Sequence, residues 1–136
     1  GKTVARIAAV LGIDIDALLF PGVDALRAND YQREAMRTAG NMAHAESMLV
    51  NGALGLCGES GEVADLIKKA NFQGHELDKD RIASELGDVA WYLAVTAMAI
   101  GYNLEDVMRL NIIKLRNRYP DGFDVRKSLN RKEGDV

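Results

Sequence analysis

Residues 55–69 read GLCGESGEVADLIKK and residues 85–93 read ELGDVAWYL. Each carries two acids three positions apart, Glu59 with Glu62 and Glu85 with Asp88, so each pair lies on one side of a helix. Leu56, Val63, Leu66 and Ile67 surround the first pair, and Ile82, Leu86, Val89 and Leu93 the second. The acids therefore border the apolar stripes that face a core. Four carboxylates gathered in a bundle repel one another and are costly to bury unpaired. A divalent cation relieves both costs, and an all-oxygen donor set suits Mg²⁺ or Mn²⁺. Histidine-containing di-iron sites are excluded, because neither His44 nor His75 has a glutamate three positions before it. Both histidines read as surface or boundary residues.

Outward from these blocks the chain reads as helix almost throughout. It holds eighteen alanines, two prolines and no alternating β-branched run. The pattern predicts a short helical piece over 2–19, ended by Phe20-Pro21-Gly22, then helices near 30–49, 53–71, 79–100 and 104–118. Gly74 marks a break, Gly101 a helix C-terminus and Asn103 an N-cap. Tyr119-Pro120-Asp121-Gly122 stops the last helix, and the tail after it reads as polar and loose. The fold class is all-α, a four-helix bundle over 30–124 with a helical appendage at 1–29 and a polar tail at 125–136.

The 136 residues make one domain, 48% hydrophobic and 27% charged. Cys57 is the single cysteine, so there is no disulfide framework, and it reads as a small core residue. The apolar run Val89–Ile100 is twelve residues long, too short for a membrane span. No basic-then-apolar leader opens the chain, and a cytoplasmic protein is expected; the start at Gly1 rather than Met reads as a processed or recombinant product. Gly1-Lys2-Thr3 lacks the glycine loop and strand of a phosphate-binding loop. The stretch TVARIAAVLGIDIDALLF resembles the end of a helix-turn-helix domain without its reading helix, a weak pointer to DNA.

The net charge of −3 is unevenly spread. Residues 31–107 hold six basic and twelve acidic side chains, whereas residues 108–136 hold eight basic and four acidic. The overall acidity argues against general nucleic-acid binding. The basic end supplies Asn111, Lys114 and Arg118 at i, i+3 and i+7 along one side of a helix, donors suited to phosphate oxygens. Glycines 55, 58 and 61 recur through the first acidic block at a cost of roughly 1 kcal/mol each against alanine. Close helix approach or room for a ligand would compensate.

This order of elements resembles the MazG-like, all-α nucleoside triphosphate pyrophosphohydrolases, whose signature is ExxE followed by ExxD on the next helix. The resemblance runs from YQREAMRTA through both acidic blocks to KLRNRYPDGF, about residues 30–124. It implies that Glu59, Glu62, Glu85 and Asp88 hold Mg²⁺, with Glu59 or Glu62 orienting the attacking water. It also implies that Lys69, Asn111, Lys114 and Arg118 contact phosphates or line the pocket, and that Trp91 or Tyr92 borders the base. The implied reaction is hydrolysis of a (deoxy)nucleoside triphosphate to the monophosphate and pyrophosphate by a homodimer or homotetramer, a house-cleaning role in the nucleotide pool. The other class of function is a non-catalytic dimerising module of a DNA-binding or regulatory protein, in which the four acids are incidental.

Overall fold

The computed structural model describes residues 26–40 and 44–130, together with Ala9 and Gly12. The helix expected over 2–19 thus lies outside the described residues. Those described form five helices and no strand: α1 (Ala28–Met36), α2 (Ala45–Phe72), α3 (Lys79–Ala99), α4 (Leu104–Arg118) and α5 (Val125–Leu129). None of these helices is long and apolar enough to cross a membrane.

α2 and α3 form the spine, an antiparallel pair whose register glycines set. A Cβ on Gly52 would run into Thr96, and one on Gly55 would fall inside the Tyr92 ring, so the helices touch backbone to side chain at these two levels. Gly58 and Gly61 have nothing within 4 Å of such a Cβ. Helix approach therefore accounts for one of the three glycines singled out in the sequence, and for Gly52 beside them. Gly55→Ala is expected to destabilise the protein by about 2 kcal/mol, overpacking outweighing the gain in helix propensity. Gly58→Ala, in open space, should instead stabilise by up to about 1 kcal/mol. Thermal unfolding of the two variants checks the opposite signs.

α1 lies across α3. Ala35 of α1, Ala94 of α3 and Leu104 of α4 make the central cluster, with Tyr31, Trp91 and Leu93 packed on it. At its heart Gln32 is only 2% exposed. Its amide donates to the Ala94 and Tyr102 carbonyls, both at 3.1 Å, and its oxygen accepts from the Leu104 N–H at 3.0 Å. Beside it, Asn29 Oδ1 accepts from the Glu105 N–H at 3.0 Å, while Glu105 Oε1 accepts from the Asn29 N–H at 3.2 Å. Asn103 precedes α4 as expected, yet its side chain makes no cap bond. α1 supplies the cap instead. Gln32→Leu keeps the volume and strands the Leu104 N–H, so a loss of about 3 kcal/mol is expected in denaturant melts.

The helix expected over 30–49 is divided. α1 stops at Met36, where Thr38 and Ala39 turn back onto the carbonyls of Ala35 and Met36 at 3.1 and 3.2 Å. The Thr38 hydroxyl also donates to the Ala35 carbonyl at 2.9 Å. Gly40 then takes φ +67°, a conformation that ends a helix and that glycine adopts without strain. Residues 45–52 belong to α2, which runs unbroken through the expected break near 50. At the far end of α3 the expectation holds. Gly101 has φ +79°, its N–H donates to Met98 O at 3.0 Å, and the Tyr102 N–H donates to Ala97 O at 2.9 Å, a Schellman ending. The tail is not wholly loose, because the Asp124 carboxylate caps the Arg126 and Lys127 N–H groups at 2.7 and 3.2 Å and starts α5.

Candidate metal centre

The Gly52–Thr96 and Gly55–Tyr92 crossings bring the next turn of α2 opposite the preceding turn of α3. Glu59 there meets Glu85 and Asp88, and one carboxylate oxygen from each lies within 4.8 Å of the others. Glu59 and Glu85 are half-buried and Asp88 is exposed. Partial burial, followed by the charges of Asp88, Glu85 and Glu62, pushes the Glu59 carboxyl above its usual value. Glu62 is exposed and stands outside the three-oxygen group, although its charge reaches Glu59. Arg81 approaches Glu85 at 3.8 Å from one turn earlier on α3.

The donor set is oxygen only, and among the described residues a single cation, Arg81 at 3.8 Å from Glu85, pairs with the three carboxylates. The arrangement therefore fits a hard divalent cation. Tyr31 joins this neighbourhood from α1. Its hydroxyl donates to the Gly87 carbonyl at 3.4 Å, and burial together with the Asp88 charge raises its pKa. Sequence reasoning passed over Tyr31, since only the packing of α1 on α3 places it beside Asp88.

The aromatic pair divides its roles. The Trp91 indole N–H donates to Thr38 Oγ1 at 2.8 Å and to the Ala35 carbonyl at 3.1 Å, tying α3 to the end of α1. Its rings meet Tyr92 edge-on at 4.9 Å. Trp91 is thus a packing residue, whereas Tyr92 lies in the α2–α3 crevice against Gly55.

Lys69 and Lys68 both pair with Asp65, at 2.5 and 2.6 Å, and hold its carboxyl down at about 2. Neither is paired with the clustered acids. Asn111 and Lys114 line a groove of about 460 Å³ with Ile100, Tyr102, Val107 and Leu110. Arg118 is half-buried at the end of α4. None of the four acids lines that groove, so the basic side of α4 and the carboxylates are not brought together within it. Both histidines are exposed, as expected. Cys57 is exposed as well, contrary to its reading as a core residue, because among the described residues none covers its side of α2.

The MazG nucleotide pyrophosphohydrolase domain model matches residues 51–123. The Gene 37 protein of Mycobacterium phage L5 is 36% identical over 73 residues, which cover 51% of this chain and 64% of that protein. The chain thus spans less than two-thirds of the length of this curated relative. No solved structure matches the chain significantly. The matched segment takes in all four acids, most of α2 and the whole of α3 and α4, and with this all-α architecture the chain belongs to the MazG nucleotide pyrophosphohydrolase domain family.

Proposed function

We propose that the protein hydrolyses nucleoside or deoxynucleoside triphosphates to the monophosphate and pyrophosphate, with Mg²⁺ or Mn²⁺ as cofactor, in house-cleaning of the cytoplasmic nucleotide pool. The observation that carries this reading is the convergence of Glu59, Glu85 and Asp88 in a chain of this family. These three would hold the cation, and Glu62, whose charge acts on Glu59, is proposed as a fourth ligand. A divalent cation there supplies Lewis-acid charge for the phosphates. Glu59 or Glu62 orients the water that attacks the α-phosphorus and accepts its proton as the pyrophosphate leaves. Lys69, Asn111, Lys114 and Arg118 contact phosphate oxygens, and Tyr92 borders the base.

The reading includes a homodimer or homotetramer. On α4, Leu110, Ile112 and Ile113 are 55%, 49% and 51% exposed, and no other described helix covers them. Among the described residues, only Gln32 and Val95 are large side chains in full burial. A second copy would cover α4 and complete the core. The experiment is incubation of a panel of ribo- and deoxyribonucleoside triphosphates with and without Mg²⁺, with the products identified. Monophosphate and pyrophosphate in the Mg²⁺ arm are the expected result. Release of single phosphates, or no turnover of any triphosphate, overturns the proposal, and the latter would leave the bundle as a dimerising module.

A further inference from the structure

Three ties fasten α1 across α3, and they fall on one stripe of it: the Gly87 carbonyl, the Trp91 indole and the Ala94 carbonyl, at i, i+4 and i+7. Two of them are strong. Gln32, fully buried, donates to the Ala94 carbonyl at 3.1 Å, and the Trp91 indole N–H reaches both Ala35 and Thr38. The third differs in kind. The Tyr31 hydroxyl stands 3.4 Å from the Gly87 carbonyl, beyond the usual reach of an O–H donor. That carbonyl lies inside α3, where the Trp91 backbone N–H is its regular partner. Tyr31 thus makes a weak and redundant bond with its hydroxyl, while its ring packs on the central cluster as a phenylalanine ring could.

Beside that hydroxyl is Asp88, the next residue along α3. Of the four acids, Asp88 is the one whose charge acts on Tyr31. Its carboxylate belongs to the three-oxygen group, yet makes no hydrogen bond or ion pair among the described residues. Glu85, in the same group, has Arg81 at 3.8 Å. A carboxylate that ligates a cation must be charged and held in one orientation, and a hydrogen-bond donor on its outer oxygen serves both needs. The Tyr31 hydroxyl can be that donor, because its proton turns freely about the C–O bond while the core fixes the ring.

We propose that Tyr31 is a positioning residue of the metal centre, its hydroxyl proton turning from the Gly87 carbonyl to the Asp88 carboxylate when a divalent cation is bound. This role rests on the divalent-cation reading of the three carboxylates and extends it to α1. Cation affinity then depends on how α1 packs on α3, and not on the two acidic helices alone.

Calorimetric titration of Mg²⁺ into the full chain measures this affinity, on wild type, Tyr31→Phe and Tyr119→Phe. Phenylalanine keeps the ring on the core, so melting of Tyr31→Phe in chelator should match the wild type. Its Mg²⁺ affinity is expected to fall about tenfold. The half-saturating Mg²⁺ for triphosphate hydrolysis should rise by the same factor, while kcat at saturating Mg²⁺ stays near that of the wild type. Tyr119, whose ring centre lies 5.4 Å from that of Phe123 beyond α4, is the control and should change neither. In an Asp88→Asn background, Tyr31→Phe should bring no comparable further loss, because the charged partner is gone. Unchanged Mg²⁺ affinity in Tyr31→Phe, with or without a lower melting temperature, makes the hydroxyl merely structural and overturns the proposal while the metal reading stands. The same fold-loss with and without Asp88 also overturns it, since the hydroxyl then acts on another group. If the wild type binds no Mg²⁺, the metal reading falls and the role of Tyr31 falls with it.

Discussion

Asp88→Asn is expected to lower kcat/KM for a triphosphate at least 100-fold while leaving the melting temperature unchanged or higher. One hundredfold is about 2.7 kcal/mol of barrier, the scale of a lost metal ligand or a displaced phosphate and more than a surface charge contributes. Asp88 is exposed and caps nothing, so the loss cannot arise from unfolding. The amide keeps the side chain's shape and removes one charge from the crowded group that includes Glu59 and Glu85. Repulsion in the metal-free protein thus falls as activity is lost. The control is Asp106→Asn, whose carboxylate pairs with Arg109 on α4 at 2.7 Å, away from the cluster. It should be indistinguishable from wild type. Parallel steady-state kinetics and melting curves separate the cases. A tenth or more of wild-type kcat/KM in Asp88→Asn would remove Asp88 from the metal site.

How far the sequence could be read depends on what ends each element. α3 and α4 match the expected 79–100 and 104–118 closely, because local chemistry bounds them. Asp78 caps α3, Gly101 ends it, and the tyrosine-proline pair stops α4. The end of α1 depends on Thr38 receiving the Trp91 indole N–H from 53 residues away, and no local pattern carries that bond. The short helix α5 has a plainer origin. Asp124 is an ordinary N-cap in a stretch whose polarity suggested only a tail.

The site divides in the same way. That Glu59, Glu85 and Asp88 sit on crevice-facing sides follows from their three-residue spacing at apolar borders. That they meet at one level follows from the antiparallel register, which rests on Gly52 against Thr96 and Gly55 against Tyr92. The glycine period through 55, 58 and 61 gave a hint of this contact but pointed at two positions with open space. On α4 the spacing of Asn111, Lys114 and Arg118 was legible as one side of a helix. What that side faces was not, because α4 is fastened mainly through its first turn, by Asn29 and Gln32, and its exposed apolar residues look outward for cover.

Mg²⁺ should raise the melting temperature of the metal-free protein by about 10 °C at a hundredfold excess over its dissociation constant. Binding to the folded form alone contributes about 2.7 kcal/mol at that excess, and in a domain of this size each kcal/mol moves the transition by about 4 °C. The pH dependence of the metal-free protein should carry the same cause. Burial and the neighbouring charges of Asp88, Glu85 and Glu62 raise the Glu59 carboxyl above its ordinary 4.5. The folded state therefore binds that proton more tightly than the unfolded chain does. The stability this gives is fully present below 4.5 and is lost as pH rises through the elevated folded value. Glu59→Gln removes the titrating group, and three results should follow together. In chelator the variant should melt higher than wild type at pH 7. Its difference from wild type should shrink as the pH is lowered toward 4.5. Its gain with Mg²⁺ should be smaller at every concentration. Melting series in chelator and in rising Mg²⁺, run at two pH values on both proteins, measure all three. A wild-type curve indifferent to Mg²⁺ would mean that the three carboxylates hold no cation, and the hydrolytic mechanism built on them would fall. A Glu59→Gln protein that gains as much from Mg²⁺ as the wild type would instead move the cation away from Glu59, leaving Glu85 and Asp88 on α3 as its only ligands in the cluster.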